Sequence, residues 1–250
     1  MIRNLQTQVK SCVSEQYNWG IIPPSSGKEA VMCAEHVDWM PLYADSLKNA
    51  VLTKTKGFVK DDTRPLTGLK IVLNSGNGAG GFFVNVLKEL GANVEASVHL
   101  EPDGSFPVGV PNPEDSAMLK MTMQVCQQSQ ADLGIMLDTD ADRCGFVVKN
   151  EKGPYEPLNR NRLIALLGVI FAQEKPGCAV VTDSVTSEGL AVFLKNLGLT
   201  HVRYLKGYAN VIGKAKELTE SGEMNAEMAI ETSGHCAMRE NGYLDDGTYT

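Results

Sequence analysis

The 250-residue sequence holds no CxxC pair among its six cysteines (Cys12, Cys33, Cys126, Cys144, Cys178, Cys236). That excludes a zinc spacing and a disulfide framework, and leaves reduced thiols in an intracellular protein as the reading. Long apolar runs are missing too. The longest, residues 163–172, falls well short of the ~20 residues a membrane-spanning helix needs, and residues 1–10 lack the apolar core of a signal peptide. Basic charge is short: 23 Lys and Arg against 30 Asp and Glu leave a net charge of −7. This argues against nucleic acid or an anionic membrane as the general partner, so any anion must be held by a local site. His36, His99 and His201 stand alone, without ligand spacing.

What is present is a chain with 43% hydrophobic residues, enough for a buried core and of a length suited to two domains. Residues 1–62 read differently from the rest. They hold a polar, Pro- and Ser-containing loop at 22–27, then a helical stretch at 41–51, and no convincing strand. Beyond Gly68, short apolar strands alternate with helices, the signature of an α/β layer architecture with mixed, largely parallel sheets. The expected series is strand 69–73, helix 80–90, strand 94–98, helix 114–130 and strand 133–137. It restarts as helix 158–173, strand 179–182, helix 187–197, strand 202–205, helix 208–219 and strand 227–231. Two stretches resemble each other: IVLNS at 71–75 leads to VLKELG at 86–91, and VVTDS at 180–184 leads to FLKNLG at 193–198. A duplicated βαβ unit explains this, with each serine at a carboxyl strand end, where open α/β sheets bind ligands; the alternative is a Gly-capped helix end of a kind common in α/β folds.

Several motifs could carry chemistry. Residues 76–81 (GNGAGG), with Glu101 further on, satisfy a dinucleotide fingerprint, but the glycines suit any anion or a close turn equally. Asp138, Asp140 and Asp142 follow an apolar strand at alternate positions. Their mutual repulsion is costly unless they converge on a hard divalent cation, the alternative being a solvated acidic turn. An EF-hand fails, because Arg143 and Lys149 occupy the positions that need Gly and Glu. Arg143 beside a metal suits a phosphate clamp. Glu231, Ser233 and His235, in a loop after another apolar strand, suit sugar hydroxyls better than a nucleophilic triad, or merely cap the strand. Lys206 could meet a phosphate or stand solvated, and LDDG at 244–247 could be a helix N-cap.

Taken together, DTDADR at 138–143, ETSGH at 231–235, PNPED at 111–115, KGYANVIGKA at 206–215 and LDDG at 244–247 resemble the α-D-phosphohexomutases, the phosphomannomutase and phosphoglucomutase superfamily. The resemblance covers roughly residues 40–250. It implies four domains around one cleft in the whole enzyme, the first three related. This chain would correspond to a remnant of the first domain and linker (1–62), domain II with the metal loop (63–156) and domain III with the sugar loop (157–250). It further implies Mg²⁺ on Asp138, Asp140 and Asp142, Arg143 at the transferred phosphoryl group, Glu231, Ser233 and His235 around the sugar, and Lys206 facing the cleft. The partner would be a phosphorylated hexose, with no nucleic acid and no membrane, and the compartment cytoplasmic or plastid; the sequence says nothing of oligomeric state.

The departures matter as much. Nothing here resembles the family's Thr-Ala-Ser-His-Asn-Pro type loop, whose phosphoserine donates the phosphoryl group, and the expected Arg-Ser-Gly-Thr type loop of domain IV does not occur by Thr250. The expectation is therefore a fragment of a phosphohexomutase, inactive alone. The alternatives are a haloacid-dehalogenase-type phosphatase, with Asp138 as nucleophile, Asp140 as acid, Lys206 as clamp and Asp245 and Asp246 on metal, or a non-catalytic sugar-phosphate-binding protein.

Overall fold

Which side of each strand its residues line explains the layering. The computed structural model describes residues 37–250, so the loop at 22–27, Cys12, Cys33 and His36 lie outside the described residues. In strand β1 (Ile71–Asn74) every residue is buried, as expected of a strand covered on both faces. Ile71 and Leu73 join one core with Ile135 and Leu137 of β2 (Leu133–Leu137), whereas Val72 and Met136 join another. Successive side chains thus serve opposite faces. The first face is closed by Phe83, Val86 and Leu87 of helix α2 (Phe83–Glu89) and by Leu47 of helix α1 (Met40–Thr55). The second is closed by Met118 and Cys126 of α3 (Ser116–Ser129), whose N-terminus Asp115 caps by accepting from the amides of Ala117 and Met118.

β1 and β2 are parallel, and β2 continues antiparallel into β3 (Cys144–Lys149) and β4 (Tyr155–Pro157). The second sheet repeats the plan in the order β6-β5-β7-β8. There β5 (Ala179–Asp183) is parallel to both β6 (Thr200–Tyr204) and β7 (Ala226–Ile230), and β8 (Cys236–Met238) runs antiparallel to β7. Val180, Met228 and Ile230 face α4 (Arg160–Glu174) and α5 (Glu188–Asn196). Ala179, Val181 and Ala229 face α6 (Tyr208–Glu220). Both units are therefore α/β/α sandwiches with mixed sheets, the arrangement that buries both faces of a central strand.

Three expectations change. Residues 94–98 form no strand; the segment keeps only isolated bridges beside β1, Lys70–Asn93 and Asn74–Val98. A turn at 94–97 interrupts the ladder, and the Ser97 hydroxyl accepts from the Leu73 amide at 3.0 Å in place of a backbone carbonyl. The helix expected from 80 opens as a 3₁₀ turn, Ala79–Phe82, before α2. The antiparallel strands β3, β4 and β8 went unread, because their apolar runs are short and follow the polar loops directly. No helix among the described residues is long and apolar enough to cross a membrane.

Candidate active site at the strand ends

The two sheets correspond in three of their four strands, with β1, β2 and β3 matching β5, β7 and β8. The acidic loop after β2 and the ETSGH loop after β7 therefore occupy equivalent places. They also meet: Arg143 and His235 form an antiparallel bridge, and the Gly247 amide donates to the Ala141 carbonyl at 3.0 Å. Two loops 88 positions or more apart in the chain thereby become one surface.

In the acidic loop Ala141 has φ of 64°, a left-handed conformation that a non-glycine residue adopts at some cost. This turn brings carboxylate oxygens of Asp138, Asp140 and Asp142 within 4.8 Å of one another. Asp138 is 1% exposed. Its two oxygens accept from Arg143, one from Nε at 2.8 Å and one from the backbone amide at 3.1 Å. Arg143 Nη1 reaches Asn112 Oδ1 at 3.4 Å, which is how the PNPED segment joins the site. Burial, and then the charge of Asp138, push Asp142 up to about 6 against the opposing pull of His235. One guanidinium leaves this carboxylate group short of positive charge, and its donors are all hard oxygens. Both features fit Mg²⁺ or a similar hard cation.

The Gly-rich stretch proves to be a support for this loop. An added Cβ at Gly78 would lie 2.7 Å from the Thr139 carbonyl oxygen and 2.8 Å from that of Asp138. The Ala79 amide donates to the Thr139 carbonyl, the Asn77 amide to His99 and the Gly78 amide to Ser75. With these amides engaged internally, the stretch is no phosphate cradle for a dinucleotide.

In the second loop Glu231 is buried. Its Oε1 accepts from the Gly207 amide at 2.6 Å and its Oε2 from the Ser233 hydroxyl at 3.1 Å, so the Lys206 turn is tied to the ETSGH loop. Lys206 itself is exposed. Gly234 has φ of 109°, and a Cβ there would meet Arg160 Nη2 at 2.8 Å. Arg160 also donates to the Cys144 carbonyl and so props both loops from beneath. His235 Nδ1 lies 2.8 Å from Asp245 Oδ2 and 3.6 Å from Asp142 Oδ2, and its ring stacks on Tyr208 with centroids 4.8 Å apart. Burial works to lower the His235 pKa, but the hydrogen bond and charge of Asp245, joined by Asp142, outweigh it and raise the value.

The structure thus gathers Asp138, Asp140, Asp142, Arg143 and His235 directly, and joins Glu231 and Ser233 through the loop. Asn112 and Arg160 were missed as site residues, and Asp245 was named only as a metal ligand of the dehalogenase-type alternative; Asn112 lies in a motif noticed in the sequence, whereas Arg160 carries no local signal. LDDG is not a helix cap. Asp246 is buried and accepts from the Tyr43 hydroxyl at 2.8 Å and from the amides of Thr248 and Tyr249 at 3.0 Å, which stabilises a turn. A carboxylate so engaged leaves the dehalogenase-type reading without one of its two metal ligands. Cys126, Cys144, Cys178 and Cys236 are buried free thiols, and burial pushes Cys144 up to about 12.

Two family models match almost all of the described chain: phosphoglucomutase/phosphomannomutase alpha/beta/alpha domain II over residues 41–153, and domain III of the same family over 159–250. The chain belongs to the phosphoglucomutase/phosphomannomutase family. Among its relatives, the phosphomannomutase of Salmonella typhimurium is 32% identical over 207 residues, covering 81% of this chain and 43% of that protein. A Burkholderia thailandensis phosphoglucomutase/phosphomannomutase family protein superposes with a TM-score of 0.67 at 28% identity, covering 82% of this chain and 41% of that one. The same fold occurs in the Aspergillus fumigatus N-acetylphosphoglucosamine mutase solved with GlcNAc-6P and magnesium, with a TM-score of 0.54 at 16% identity, covering 80% of this chain and 40% of that one. This family member therefore spans less than half the length of the curated relatives it matches.

Proposed function

We propose that the chain carries the metal-holding and sugar-recognising part of a phosphohexomutase, an intramolecular phosphotransferase that interconverts sugar 1-phosphates and 6-phosphates. The bridge between Arg143 and His235 carries this reading, because it sets a three-carboxylate loop and a hydroxyl-binding loop edge to edge. Asp138, Asp140 and Asp142 would hold Mg²⁺. Bound there, the ion would supply the positive charge that offsets phosphoryl oxygens. Arg143, held at the edge of the cluster by Asp138 and Asn112, contacts the phosphoryl group. Glu231, Ser233 and His235 take the sugar, with Lys206 at the rim of the same cleft. The Aspergillus enzyme's magnesium and GlcNAc-6P support this class of ion and ligand. The division at 63 and 157 belongs to the same proposal, as does a cytoplasmic location; the relatives above lend the plastid alternative no support.

No phosphoserine-type loop occurs within these 250 residues, so the donor for group transfer is absent from the chain. The purified chain is expected to bind Mg²⁺ weakly, to lose that binding in Asp140→Asn, and neither to isomerise glucose 1-phosphate nor to release phosphate from it. Calorimetry and a colorimetric phosphate assay check this. Mg²⁺-dependent phosphate release by the parent but not by Asp138→Asn would establish a phosphatase instead.

A further inference from the structure

The second sheet ends in β6, which pairs with β5 on one side only. The Thr200 amide donates to the Cys178 carbonyl at 3.0 Å, so by the alternation of a parallel ladder the amides and carbonyls of His201 and Arg203 point away from the sheet. Among the described residues no strand answers them. An open strand edge of this kind is a template for pairing with another chain.

The helix beside that edge is α5, which buries Leu190 and Leu194 in the core. Glu188, Ala191, Val192 and Lys195 recur at i, i+3, i+4 and i+7, so they form one stripe on the helix. That stripe is turned to the β6 side. Ala191 and Lys195, with Leu199, Thr200, His201 and Arg203, line an open groove of about 540 Å³ between helix and strand. Glu188 accepts from Arg203 Nη1, and Arg203 Nη2 donates to the Ser187 carbonyl at 2.9 Å, which closes one end of the groove. Val192 is 58% exposed.

The order of the stripe identifies the occupant. When two copies of α5 lie antiparallel about a two-fold axis centred between Ala191 and Val192, Glu188 meets Lys195 of the second copy, and Ala191 meets Val192 of the second copy. Opposite charges then face each other at both ends, apolar side chains fill the middle, and the helix dipoles oppose. The stripe is complementary to itself.

We propose that two copies of this chain join across this edge as a two-fold dimer, with α5 packed antiparallel on its counterpart and β6 antiparallel to β6 of the second copy, so that the two second sheets become one of eight strands. The ETSGH loop follows β7, on the far side of β5, so the dimer leaves the candidate site open. The proposal is independent of the mutase reading.

The test is sedimentation velocity of the full chain over a concentration series, with circular dichroism to confirm that each variant is folded. The parent should form a dimer whose fraction rises with concentration. Val192→Asp sets two carboxylates near the axis and should raise the dissociation constant more than about tenfold, as for loss of an interface anchor. Glu188→Lys and Lys195→Glu each put like charges at both ends and should weaken the dimer roughly tenfold. An equimolar mixture of these two variants restores both opposite-charge contacts and should dimerise more tightly than either alone, a recovery that no folding defect produces. A parent that stays monomeric throughout overturns the proposal. So does a Val192→Asp protein as dimeric as the parent, or a mixture no tighter than its components.

Discussion

His201 shows how one residue ties stability to pH. Its Nε2 sits 2.8 Å from the Thr182 hydroxyl at the side of β5. Burial, and then the charge of Arg203, lower its pKa, so the fold favours the neutral ring. An imidazole depressed below its ordinary value of about 6.5 adds stability that is complete above that value and is lost as pH falls through the folded pKa. Urea unfolding should therefore show stability dropping from neutral towards acid pH, and His201→Gln, which keeps a polar partner for Thr182 but cannot titrate, should flatten part of that drop. An identical slope in the variant would show that the loss arises elsewhere. In the sequence His201 stood without a role, because only the register of β6 against β5, which pairs it with Val180, places it beside Thr182.

At the scale of an element, the turn from β1 into α2 is a buttress. Its glycines matched a nucleotide fingerprint in the sequence, because that pattern records only where backbone must come close to something. In the fold the close neighbour is the acidic loop, with the Asp138 and Thr139 carbonyl oxygens less than 3 Å from where a Gly78 Cβ would stand. Gly78→Ala must push the two turns apart. The expected outcome is a loss of roughly 1–3 kcal/mol, as for overpacking, together with weaker Mg²⁺ binding, since Asp138 is the proposed ligand nearest the clash. Thermal denaturation and Mg²⁺ calorimetry on the same protein check both effects. A variant that loses stability but keeps its metal affinity would show that the loop adjusts independently of the turn.

Across residues 42–250, the two α/β sandwiches share parts of their cores. Phe146 and Tyr249 pack against both, and Tyr43 of α1 bonds to Asp246 and Thr248 beyond β8. Lys54 of the same helix pairs with Glu174 at 2.5 Å and Glu240 at 2.9 Å; such partly exposed pairs add little, so the shared aromatics and the buried Asp246 cluster carry the coupling. Calorimetry should show one cooperative unfolding transition for the two sandwiches. Two resolved transitions would mean that the junction is weaker than its packing implies.

The layer order, the two repeats and the motif loops were legible in the amino-acid sequence, because apolar runs at strand length and glycines at turns are local constraints that short segments satisfy by themselves. So was the acidic cluster at 138–142, since alternate carboxylates are costly without a cation wherever they lie. The partner of each group was not legible. That Asp245 serves His235 while Asp246 serves Tyr43, that Glu231 ties down Gly207, and that Arg160 supports Gly234 and Cys144 all depend on pairings between distant segments. Some of these pairings stay within the second sandwich and others reach across to the first, but all join segments far apart in sequence, so a buried polar group meets its donor or acceptor only once the tertiary fold has brought those segments together.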